Sequence, residues 1–117
     1  MVLTGLPVLV ATLPAGAAAP RATLTVSPTV VHRGALVLIR GNAGACPVRD
    51  TVTIMSRAFP RRHEFAGIPA VLTPVRLHHL FRATTRIPVT KGLGRYVVTA
   101  RCGGGNFGVS AHLRILG

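Results

Sequence analysis

Lys91-Gly-Leu-Gly-Arg-Tyr-Val-Val-Thr-Ala-Arg-Cys-Gly-Gly-Gly-Asn106 holds a corner, a strand, a cysteine and a second corner in one unbroken run. Gly92 and Gly94 make the first corner, where positive φ costs a glycine little. Tyr96, Val98, Ala100 and Cys102 then alternate with Arg95, Val97, Thr99 and Arg101, the period-2 pattern of a strand with one buried face. Gly103 to Gly105 end that strand and reverse the chain. A second alternating run follows, with Val109, Ala111, Leu113 and Ile115 against Ser110, His112 and Arg114. Two such runs across a glycine-rich turn predict a β-hairpin, the last of a small all-β domain on which everything upstream must pack.

Upstream, the same alternation recurs in short segments. Ala22–Val26 reads as a first strand, broken by Ser27-Pro28 and turned at His32-Arg33-Gly34. Ala35–Arg40 reads as a second, with Val37 and Ile39 placed inside. Thr51–Ser56 reads as a third, with Val52 and Ile54 inward. Leu80–Ile87 alternates Phe81, Ala83, Thr85 and Ile87 with Arg82, Thr84 and Arg86. Between them, Arg57–His79 carries Pro60, Pro69 and Pro74 and no clean period. A short edge strand within Glu64–Val71 is the most it predicts, because proline is tolerated there. About seven strands at sandwich-like spacing, with no helical period, predict an antiparallel β-sandwich.

The pattern Pro28, Gly34, Val37-x-Ile39-x-Gly41, Cys46, then Gly94-x-Tyr96-x-Val98-x-Ala100-x-Cys102-Gly-Gly resembles the stand-alone immunoglobulin-like domains of secreted actinobacterial proteins. The resemblance spans roughly Leu24–Ile115 and implies export and an immunoglobulin-like fold. Its most specific piece is Tyr96–Gly104, and Gly94-x-Tyr96 before a late strand is similar to the tyrosine corner of sandwich folds. It implies no particular activity, since such domains serve as adhesion, spacer and binding modules alike. A weaker similarity, on Ala18-Ala19-Pro20, Ala22-Thr23, Thr25-Val26 and Pro28, is to the neocarzinostatin-type apoproteins, exported sandwiches that hold a ligand in a cleft.

Residues 1–19 read as a secretory signal peptide. Val2–Leu13 is an apolar run, and Ala15-Gly-Ala-Ala-Ala19 a small-residue tail with cleavage near residues 17–19. Pro7, Pro14 and the shortness of the run argue against a membrane anchor. No Lys or Arg precedes it, which predicts a translation start upstream of Met1. Residues 20–117 would then form a single extracytoplasmic domain. In an oxidising compartment Cys46 and Cys102, the sole cysteines, are expected to pair.

Fourteen Lys and Arg stand against two acids, a formal net charge of +12. Thirteen of the fourteen are arginine, the bias of a GC-rich genome, and such a surface associates with polyanions. A catalytic centre is hard to build from Asp50 and Glu64 in separate loops. No nucleophile elbow or phosphate-cradling loop is present. The chain is therefore expected not to be an enzyme and to need no cofactor. His63-Glu64 and His78-His79 match no metal-ligand spacing, so no metal site is expected.

What remains is Arg95, Arg101, His112 and Arg114, which parity places outward on one hairpin. They are the predicted contact face for an anionic cell-wall polymer or lipid surface. Aromatic side chains for stacking bases are scarce, so sequence-specific nucleic-acid binding is not expected. The reading is a secreted, immunoglobulin-like module of the cell envelope. The alternative is a small-ligand carrier with a cleft beside residues 57–79. An enclosed apolar cleft would favour the carrier, and a filled core the module.

Overall fold

A computed structural model describes residues 21–117, so the signal-peptide, cleavage and start-site expectations fall outside it. Nine strands follow in order: β1 Thr25–Ser27, β2 Val30–His32, β3 Leu36–Asn42, β4 Thr51–Met55, β5 His63–Phe65, β6 Ile68–Pro74, β7 Leu80–Arg86, β8 Gly94–Cys102 and β9 Gly105–Leu116. They form a three-stranded sheet, β1-β3-β7, and a six-stranded sheet, β2-β9-β8-β4-β6-β5. The chain is all-β, as the alternation predicts. Among the described residues no helix is long and apolar enough to cross a membrane.

The two sheets enclose one core. Val37 and Ile39 from β3 and Phe81 from β7 meet Val52 and Ile54 of β4, Val98 and Ala100 of β8, and Leu113 and Ile115 of β9. The inward set of each run is the expected one, because alternation reports burial directly when only one face is covered. In β3, where both faces are apolar, the structure puts Val37 and Ile39 inside and leaves Leu36 exposed.

Among the described residues the count of about seven strands is corrected to nine. β2 and β5, the two not read as separate strands, have three residues each, too few for a period to register. The first strand ends just before Pro28, as Ser27-Pro28 predicts, and there the chain leaves one sheet for the other. Val26 is buried from β1 in the small sheet and Val31 from β2 in the large one. β2 then runs parallel to β9, with Val31 beside Ile115, so the architecture is not purely antiparallel.

The proline-rich segment is also more ordered than its sequence predicts. β5 and β6 pair as a hairpin around Ala66-Gly67, both at positive φ (53° and 82°). Two-residue hairpin turns need that conformation, and Asn-Gly would have announced it where Ala-Gly does not. β6 lies between β4 and β5 rather than at an edge. Pro69 removes one donor from the ladder, yet its carbonyl still accepts from Ser56 N at 3.1 Å. After β6, a 3-10 turn at Leu77–His79 carries the chain back to the small sheet.

The expected disulfide is present. Cys46, in the loop from β3 to β4, is joined to Cys102 at the end of β8, with Cα atoms 6.0 Å apart. The loop is also held by hydrogen bonds. Cys46 N donates to Ala43 O (3.1 Å), Ala43 N to His79 O (2.7 Å), and His79 Nδ1 to Cys46 O (2.9 Å).

Candidate polyanion-contact face

The β8–β9 ladder brings three of the four predicted contact residues together. Arg95 lies directly opposite Arg114, and His112 opposite Val97. Side chains paired in this way have Cβ atoms about 4.5–5.5 Å apart, so the two guanidinium groups share one patch of surface. Arg95, His112 and Arg114 line one shallow depression of about 330 Å³ with Thr29 and Val30. Local structure fixes its position. Tyr96 Oη donates to Gly92 O at 2.6 Å, pinning the corner where β8 begins, one residue from Arg95. Arg114 N donates to Thr29 O at 2.8 Å, seating β2 against β9.

Arg57, which the sequence does not single out, joins this face. It lines a neighbouring depression of about 420 Å³ with Arg95, Met55, Ile68, Val97 and Thr99. Its sequence signal is weak, because it follows β4 in the segment without a period. Strand pairing across β4 and β8, Met55 opposite Thr99, is what brings it near.

Arg101 does not belong to the group. Between Thr99 and Arg101 the ladder slips: Thr99 pairs with Ser110, whereas Arg101 pairs with Asn106. Six residues of strand put Arg101 about 20 Å from Arg95. Its guanidinium carbon stands 4.6 Å from the centroid of the Phe65 ring, and its Nη2 donates to Gly104 O at 2.6 Å. Its Nε is buried without a partner among the described residues. This arginine closes the β8–β9 turn over β5 and is not presented to solvent as the others are. Parity placed it on the right face but could not show the slip.

Among the described residues the one ion pair is Arg61–Glu64, at 3.1 Å on an exposed hairpin. The other acid, Asp50, sits beside the disulfide, its carboxylate and the two sulfur atoms all within 4.8 Å of one another. Those sulfurs are bonded to each other and offer no thiolate, so the trio is not a metal-ligand set. His79 is committed to the Cys46 carbonyl. No carboxylate therefore neutralises Arg95, Arg114 or Arg57 among the described residues.

The cleft expected beside residues 57–79 takes the form of a solvent-facing groove of about 550 Å³ between β6 and β7, lined in part by Leu36, Leu72, Arg62 and Val89. The core beneath is filled: Val37, Ile39, Val52, Ile54, Phe59, Ile87 and Val98 have no exposed surface.

No protein-family model matches the chain, and no curated protein sequence matches it. Among solved structures it is similar to the Pseudomonas fluorescens alkylpurine DNA glycosylase AlkC bound to DNA containing an abasic site analog. The identity is 16% and the TM-score 0.52, over 81% of this chain and 29% of that one. At this identity the likeness is one of fold, and it covers less than a third of the glycosylase. It corrects the expectation that the chain is not an enzyme. This fold forms part of an enzyme polypeptide, so a scarcity of carboxylates within the fold does not remove a chain from the enzymes.

Proposed function

We propose that this chain is an exported, immunoglobulin-like module of the cell envelope that binds anionic polymers by surface contact. The observation that carries this reading is the pairing of Arg95 with Arg114, flanked by His112 and Arg57, on a face where no described carboxylate competes. A phosphate backbone would meet at least three guanidinium groups there, each able to form charge-assisted, bidentate hydrogen bonds.

Three further features support the reading. The arrangement of two sheets with the Tyr96–Gly92 hydrogen bond resembles the tyrosine corner of immunoglobulin-like sandwiches. A disulfide suits a chain that matures outside the reducing cytoplasm, in line with the apolar and small-residue run at residues 2–19. The filled core favours contact at the surface over capture in the interior. The carrier alternative rests on the groove between β6 and β7, whose Leu36 and Val89 are 51% and 71% exposed; binding of an apolar dye that is lost in Leu36→Ser would favour it.

The test is fluorescence anisotropy with labelled poly(glycerol phosphate), read across a salt series, with duplex DNA as a second arm because the similar glycosylase is bound to DNA. Affinity should fall linearly in log–log form with salt. Replacing two contacting arginines, Arg95→Ser/Arg114→Ser, should flatten the slope by about 1.5–2. Arg33→Ser/Arg49→Ser removes the same charge elsewhere and should leave the slope nearly unchanged. Equal losses in the two variants would mean that net charge alone acts and that no contact face exists. Binding of DNA without binding of poly(glycerol phosphate) would replace the envelope polymer by nucleic acid.

A further inference from the structure

The outer face of the three-stranded sheet holds a second basic cluster that no sequence pattern announces. Arg40 on β3 lies directly opposite Arg82 on β7, and Thr25 on β1 lies opposite Arg40 from the other side. Arg76 comes to the same place from the crossover between β6 and β7, where its N–H donates to Leu80 O at 2.7 Å. Together they line a groove of about 550 Å³ with Thr23, Asn42 and Leu80.

The polar groups of this groove are overwhelmingly donors. Asn42 Oδ1 already accepts from Gly44 N at 2.8 Å, and its amide hydrogens have no acceptor among the described residues. Thr23 Oγ1 accepts from Asn42 N at 2.9 Å, so its own hydrogen has no partner in that bond. Thr25 Oγ1 donates to Arg40 O at 3.3 Å. Among the described residues no acceptor bonds the guanidinium groups of Arg40, Arg76 or Arg82. Arg86 on the same strand differs, since its Nη1 is engaged by Gly34 O at 2.9 Å.

Gly41 makes the geometry possible. A Cβ there would collide with the Thr23 carbonyl and lie 2.9 Å from Phe81 Cζ, so only glycine lets the segment before β1 run close beside β3. That close approach is what delivers the Thr23 hydroxyl to the groove. Like charges directly opposite on a sheet oppose folding. The arrangement of Arg40 and Arg82 is therefore costly alone and is relieved when an oxyanion sits between them.

We infer that Arg40, Arg76 and Arg82, with the Thr23 hydroxyl and the Asn42 amide, form a phosphoryl-binding site, and that the module bridges two strands of a phosphodiester polymer. The site stands by itself; the bridging rests on the function proposed above. The two basic clusters lie on the outer faces of opposite sheets, with the filled core between them. One strand cannot lie flat on both faces at once. A chain with a contact face on each side gathers two strands.

Two measurements on the full chain separate these statements. Arginine Nε–Hε resonances are followed by NMR during titration with a phosphodiester oligomer too short to reach both faces. Light scattering follows cross-linking of long poly(glycerol phosphate). Arg40 and Arg82 resonances should shift and saturate in the unaltered chain and equally in Arg95→Ser/Arg114→Ser. Cross-linking should vanish in Arg95→Ser/Arg114→Ser and also in Arg40→Ser/Arg82→Ser, while each variant keeps binding through its remaining face. These side chains are exposed, so both variants should fold, which thermal midpoints no lower than that of the unaltered chain would confirm. Arg40 and Arg82 resonances that stay still, or cross-linking that survives in Arg40→Ser/Arg82→Ser, would overturn the second site and leave the first face standing. Shifts at Arg40 and Arg82 without cross-linking by the unaltered chain would retain the site and overturn the bridging. Absence of binding at both faces would overturn this inference together with the proposed function.

Discussion

Removing the disulfide by Cys46→Ser/Cys102→Ser should act on the unfolded chain far more than on the folded one. The two cysteines are 56 residues apart. Closing a loop of that length in the denatured ensemble corresponds, in the chain-entropy account, to about 4 kcal/mol at 25 °C. The folded side should change little, because the Cys46 loop is independently held by the backbone hydrogen bonds of Ala43 and Cys46, by the His79 ring bonded to the Cys46 carbonyl, and by the burial of Cys46 itself. A loss of about 4 kcal/mol is a large share of the roughly 5–15 kcal/mol that a domain of this size has in total. In thermal unfolding it corresponds to a midpoint lower by about 15–30 °C. The assay is urea denaturation of the unaltered chain and of the double variant. The variant should show a lower midpoint and a larger dependence on urea, since its unfolded state is freer and exposes more surface. Its affinity for poly(glycerol phosphate) should be unaltered, as Arg95 and Arg114 lie at the far end of β8 and β9 from Cys102. A loss below about 1 kcal/mol, or an equal loss with no change in urea dependence, would refute the unfolded-state account.

Gly41→Ala should destabilise the chain by at least about 1–3 kcal/mol, because the added methyl meets backbone rather than a movable side chain; a denaturation midpoint equal to that of the unaltered chain would contradict it. Arg82→Thr should raise stability at low salt by about 0.2–1 kcal/mol by relieving the repulsion across β3 and β7, and the gain should fade as salt screens it. Thermal melts of this variant in low and moderate salt check both the sign and the fading.

Alternation along single strands was legible in the residues themselves. Phe81, Val98, Leu113 and their i, i+2 neighbours face the core because a pleated strand turns successive side chains to opposite sides, a rule that needs no knowledge of the rest of the chain. The all-β class, the outward parity of Arg95, His112 and Arg114, and the pairing of two lone cysteines follow from such local or combinatorial facts. Which strands lie side by side is a different matter. That Arg40 stands against Arg82, that β2 joins β9 in parallel, and that Arg101 slips out of step onto Phe65 depend on residues dozens of positions apart. Strand register is set by the packing of both sheets on a shared core and by close approaches such as that of Thr23 to Gly41. A charge on a strand can be read from its own segment, but a site made of facing charges exists only once the sheets have closed.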